Sequence, residues 1–107
     1  MRFPTDSPPV MRFSWDPRTS ARTLLQRGFD LEFASGIFSA RTVEIPDARH
    51  DGAPPRRLAT GIAEGIPLTV LYAELTDMDG TPRRHLIAAR QALTTESDAH
   101  HAPRSPA

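Results

Sequence analysis

Cysteine is absent from the 107 residues, and so is lysine. The first absence removes disulfides, thiolate nucleophiles and thiolate metal sites together, so any chemistry must use other groups. The second makes all 13 basic residues arginine. A GC-rich coding sequence accounts for that bias. So does a need for the guanidinium fork, which grips phosphate or carboxylate with two hydrogen bonds where an ammonium offers a point charge. Long apolar runs are missing as well. Nothing approaches the roughly 20 apolar residues that cross a bilayer, and the opening MRFPTDSPPV has no apolar stretch of a secretory signal. The expected location is the cytoplasm, with no membrane partner. Excess charge is lacking too, since 13 acidic side chains balance the arginines. That excludes a nucleic-acid binder working through total charge alone and leaves local patches open.

A chain of this length has room for one core. Residues 1–10 hold Pro4, Pro8 and Pro9 among polar neighbours and read as a disordered arm. Residues 98–107 read as a disordered tail, which leaves the domain over 11–97. The string MRF occurs at Met1 and again at Met11, which fits a second start of translation. Asp16 followed by Pro17 opens a helix, because the Asp side chain accepts from the first free N–H groups and proline is tolerated at the first helical position. Gly28 ends it, and Ala21, Leu24 and Leu25 form its apolar face. Asp30 caps a second helix whose stripe is Phe33, Ala34, Ile37 and Phe38.

After Ala40 the pattern turns to short β-branched and aliphatic runs between turn signals. RTVEI is the weakest. The loop DARHDGAPPRR follows, then RLATGIA, a turn at Glu64 and Gly65, the doubly apolar PLTVLYAEL, the turn DMDGTP and finally RRHLIAARQA. The prediction is an α+β fold: two N-terminal helices packed on a four-stranded antiparallel sheet, with a short closing helix near Thr94 to Asp98 compatible with the pattern.

Phe13, Trp15 and Asp16, then Gly28, Phe38, Asp47, Arg56, Gly61 and Tyr72, and last Ile87, Ala89, Arg90, Ala92 and Glu96 stand in an order that resembles the BrnT family of type II toxin-antitoxin toxins. Each short string is common, and the order and spacing together carry the likeness. The resemblance implies a RelE-like fold and ribonuclease activity without a cofactor. It also implies neutralisation by a cognate antitoxin of the ribbon-helix-helix type, with DNA met only through the toxin-antitoxin complex. The chain departs from the family pattern at Gln26 and Arg27, where Lys-His is usual, at Pro54 in place of an acidic residue, at His85 in place of arginine, and at Ala88 in place of serine.

Metal-free RNA cleavage needs a base for the 2′-hydroxyl proton, an acid for the leaving oxygen and cations around the crowded phosphorane. His50 in the polar loop reads as the proton-transfer group and Arg56 as the phosphate clamp. A solvated loop histidine beside charged arginines is the plainer alternative. His85 stands where the family arginine would act as acid, or is a partly buried, hydrogen-bonded histidine. Arg90 completes the catalytic set, or closes an ion pair with Glu96. Arg57, Arg83 and Arg84 are the RNA-binding residues. Strict alternation along the last strand sets Arg83 and His85 on one face and Arg84 and Arg90 on the other. His100 and His101 lack a third ligand for zinc, DMDG lacks the later acidic ligand of a calcium loop, and Tyr72 and Trp15 suit packing better than base stacking. Two functions remain: a ribonuclease toxin, and a degenerate module that keeps only the antitoxin surface and contributes to repression.

Overall fold

Asp16 and Pro17 open the first helix as their chemistry requires. The computed structural model describes residues 11–49 and 51–101. It places Asp16 in extended backbone with its carboxylate accepting from Arg18 N–H at 2.9 Å. Helix α1 (Pro17–Arg27) runs to Gly28, which takes the left-handed conformation, φ 86°, and donates its N–H to Leu24 O. The face it buries is not the expected one. Ala21, Leu24 and Leu25 point outward, Leu25 at 87% exposure, while Ser20 and Thr23 are buried. Small side chains let α1 approach closely, and Ser20 Oγ accepts from Leu31 N–H at 2.9 Å, tying α1 to the next element.

Asp30 caps that element through Phe33 N–H at 2.9 Å, yet the helix does not continue to Phe38. A single α turn, α2 (Leu31–Ala34), tightens into a 3-10 turn over Ser35–Ser39. Leu31, Ala34 and Ile37 are fully buried at a spacing of three, the 3-10 repeat, in place of the 3.6 period. The Ser35 and Ser39 hydroxyls each donate to the carbonyl three residues back, Glu32 and Gly36.

The expectation of a four-stranded antiparallel sheet with two helices is wrong. Five strands, β1 (Arg12–Trp15), β2 (Val43–Pro46), β3 (Arg56–Ala63), β4 (Ile66–Thr76) and β5 (Pro82–Gln91), form one mixed sheet in the order β1-β5-β4-β3-β2, and α3 (Thr94–His101) follows as a third helix. β2 to β5 make the expected antiparallel meander, with the β3–β4 hairpin turning at Glu64 and Gly65, both at positive φ as a two-residue turn requires. β1 pairs in parallel with the outer edge of β5, Phe13 opposite Arg84 and Trp15 opposite Leu86. That contact joins the two ends of the domain through a long connection, and no local turn signal encodes it. The arm at 1–10 and residues 102–107 lie outside the described residues.

One face of the sheet carries α1, α2 and the core: Leu68, Val70 and Tyr72 of β4, Ala59 and Ala63 of β3, and Leu86 and Ala89 of β5 with Leu31, Ala34 and Ile37. Trp15, Phe13, Phe33 and Phe38 pack around them, with Phe38 edge-on to Tyr72 and stacked on Phe13. The opposite face is open except where α3 lies against β3. No helix among the described residues is long and apolar enough to cross a membrane.

Candidate functional site on the open face of the sheet

Residues paired across strands share a face. The register therefore lays Arg56 of β3, Ala73 of β4, His85 of β5 and Ser14 of β1 in one row on the open face. Two strand spacings separate Arg56 from His85, about 10 Å between backbones, and only the methyl of Ala73 stands between them. Arg56 makes no side-chain hydrogen bond or ion pair among the described residues. His85 Nδ1 lies 2.8 Å from Ser14 Oγ, and Arg83 donates to the same oxygen at 2.7 Å. Ser14 thus links the two side chains, its oxygen accepting from Arg83 while it shares a hydrogen bond with Nδ1 that fixes the plane of the imidazole. Arg83 also donates to Asp77 at 2.7 Å, and this hydrogen bond, with a second from Arg12, holds the Asp77 carboxyl below its usual range.

The other arginines are committed elsewhere. Strict alternation fails in β5 because the strand has a bulge: Leu71 faces Ala88, Tyr72 faces Leu86, and Ile87 has no partner. Beyond Ile87 every side chain changes sides. Arg84 therefore sits on the helix side with Leu86, and Arg90 on the open face with Thr69, against the expectation that the two share a face. Arg84 lies over the Phe38 ring at 4.6 Å and 3.9 Å from Glu44. Arg57, also on the helix side, donates to Glu44 at 3.2 Å and lies 3.8 Å from Glu74. Glu44 further accepts from the Tyr72 and Thr42 hydroxyls. Burial would raise the Glu44 carboxyl, but these hydrogen bonds and the charge of Arg84 hold it below the usual range. Tyr72 moves the other way, raised by its burial and by the carboxylate it serves.

Arg90 closes a two-pronged ion pair with Glu96 at 2.7 and 2.8 Å. Glu96 also accepts from Thr69 Oγ1 and from Leu93 N–H, the residue just before α3. The Arg90 hydrogen bond is the chief cause that brings the Glu96 carboxyl down to about 2. His50 lies outside the described residues.

The residues the sequence reading named thus separate into three groups. Arg56, His85 and Arg83 meet on the open face. Arg57 and Arg84 belong to a Glu44-centred cluster on the helix side, and Arg90 anchors α3. Ser14, Ala73 and Glu44 went unread. The aromatic F-x-W-D-P start fits a first strand before a helix cap. Nothing local shows that it seats Ser14 beside His85 in parallel, and RTVEI, which holds Glu44, gave the weakest strand signal. His100 and His101 lie in α3, where His100 Nε2 contacts Arg41 O at 3.0 Å and Arg41 donates back to His100 O at 2.7 Å. Neither a protein-family model nor a curated protein matches this chain.

Proposed function

We propose that this chain is a BrnT-like toxin of a type II toxin-antitoxin pair, acting in the cytoplasm as a metal-independent ribonuclease that a cognate antitoxin silences. The row Arg56, Ala73, His85 and Ser14 carries the reading. A phosphate above Ala73 meets a guanidinium without a carboxylate partner on one side and an imidazole fixed through Nδ1 on the other. In the reaction the ribose 2′-hydroxyl gives up its proton, its oxygen bonds to phosphorus, and the bond to the 5′-oxygen breaks as that oxygen takes a proton. The products are a cyclic phosphate and a free 5′-hydroxyl. His85 supports the proton transfers, Arg56 the charge on the phosphorane, and Ser14 with Arg83 holds the imidazole. His50 is the second proton-transfer candidate from the sequence.

One observation favours the binding-module alternative. Arg57, Arg83, Arg84 and Arg90 each lie within ion-pair distance of a carboxylate, which leaves little free cation on the sheet for RNA. The readings separate in one assay. With chelator present, the purified chain is expected to cut an RNA oligonucleotide to cyclic-phosphate ends. Arg56→Ala and His85→Gln should each slow it by about 10²- to 10⁴-fold while keeping the wild-type unfolding midpoint. RNA left intact by folded protein would remove the nuclease and leave the module.

A further inference from the structure

Next to the Arg56–His85 row runs an apolar one. Ile45 pairs with Leu58, Leu58 with Leu71 and Leu71 with Ala88, so one line of aliphatic side chains crosses β2, β3, β4 and β5 on the open face. None of them is buried. Ile45 is 54% exposed, Ala88 is exposed, and Leu58 and Leu71 are partly covered. Three strand spacings make the line about 14 Å long. On one side Thr95, Glu96 and Ala99 of α3 border it; on the other stands Arg56. Arg27 and Arg49 rim a hollow of about 150 Å³ floored by Leu58, Leu71 and Ala88.

Charge and ring content narrow what fits. Of the bordering arginines, Arg90 is neutralised by Glu96. Arg27 and Arg56 have no side-chain partner among the described residues, and Arg49 has only Asp47 at 3.7 Å. No phenylalanine, tyrosine or tryptophan of the five strands lies on this face, because Phe13, Trp15 and Tyr72 all belong to the helix side, and the one ring there, His85, stands a row away beside Ser14. Single-stranded nucleic acid binds through stacking platforms, which the strip lacks. An aliphatic floor with a cationic rim suits a polypeptide.

We propose that this strip docks an amphipathic segment of a partner protein whose aliphatic stripe is flanked by aspartate or glutamate. A helix of two to three turns fits, since positions i, i+3, i+4 and i+7 span about 10 Å. Its carboxylates meet Arg27, Arg49 and Arg56, and its body covers Ala73 and His85 one row away. The inference rests on the partner half of the proposed function and is independent of whether RNA is cut.

Calorimetry on the full chain tests it with two synthetic helices of about five turns, both with leucine at i, i+3, i+4 and i+7, one flanked by glutamate and one by lysine. The acidic peptide is expected to bind at least about tenfold tighter. Ala88→Glu and Ile45→Glu, both at exposed positions, should weaken it at least about tenfold. Leu25→Glu, on the exposed side of α1, should leave it unchanged. Equal binding of the two peptides overturns the proposal, as does an Ala88→Glu or Ile45→Glu chain, each with wild-type unfolding midpoint, that binds like the parent. Tighter binding of oligouridylate in competition, or self-association lost with Ala88→Glu, would assign the strip to RNA or to a second copy and overturn it equally. Acidic-peptide binding by a chain inactive on RNA leaves the docking site and removes the nuclease; cleavage without peptide discrimination does the reverse.

Discussion

Gly61 lies in β3 where the 3-10 turn crosses the sheet. A Cβ there would meet Ile37 Cβ and Thr42 Cγ2 at 3.0 Å and Ile37 O at 3.3 Å. Ile37 is fully buried and its carbonyl belongs to a tight turn, so neither neighbour can withdraw freely. Gly61→Ala is therefore expected to destabilise the fold by about 1–3 kcal/mol, read as a lower midpoint in urea with unchanged slope. Gly36 offers the control, since its Cβ would meet only Ala63 Cβ at 3.6 Å, an ordinary contact. Arg84 shows the same dependence on neighbours. On a bare strand it would serve a phosphate, but between Phe38, Tyr72 and Glu44 it closes the end of the core.

Helix α3 has no buried residue and is held by polar contacts near its ends: Glu96 to Arg90, Thr69 and Leu93, and His100 to Arg41. The sign of its pH dependence follows. Glu96 is lowered from 4.5 to about 2, so the stability it contributes is fully present above about pH 4.5 and is lost as pH falls through 2. Glu96→Gln should lower stability by about 1–3 kcal/mol at pH 6. The gap to wild type should narrow between pH 4.5 and 2, followed by denaturant midpoints. At this scale the sequence was uneven. The caps at Asp16 and Asp30, the stop at Gly28 and the hairpin at Glu64–Gly65 were readable because each depends on a side chain or φ within four residues. The parallel seat of β1 and the bulge at Ile87 were not, because both depend on a partner strand far along the chain. That bulge brings Arg90 to the face of His85 and the strand register brings Arg56, so the candidate site was legible in its residue types and not in its grouping.

Across the whole molecule the charges cancel, and on the strands they do so largely through local pairs. Arg12 reaches Asp77 and Asp79, Arg83 reaches Asp77, Arg57 and Arg84 reach Glu44, and Arg90 reaches Glu96. Of the strand arginines only Arg56 lacks a carboxylate partner among the described residues, so the sheet has little cation left to displace counterions. Binding of single-stranded RNA should thus fall with salt at a log-log slope no steeper than about −2, as for two or three phosphate contacts. Filter binding from low to moderate salt reads it, and a slope as steep as about −5 would show that the pairs open for RNA. The seat of β1 has a consequence of another kind. Trp15 is the only tryptophan, and it sits on the strand that β5 alone holds in the sheet, packed against the core. Its intrinsic fluorescence is therefore a built-in gauge of one seam, shifting to the red when the first strand peels from the last, even where the meander beside it stays intact.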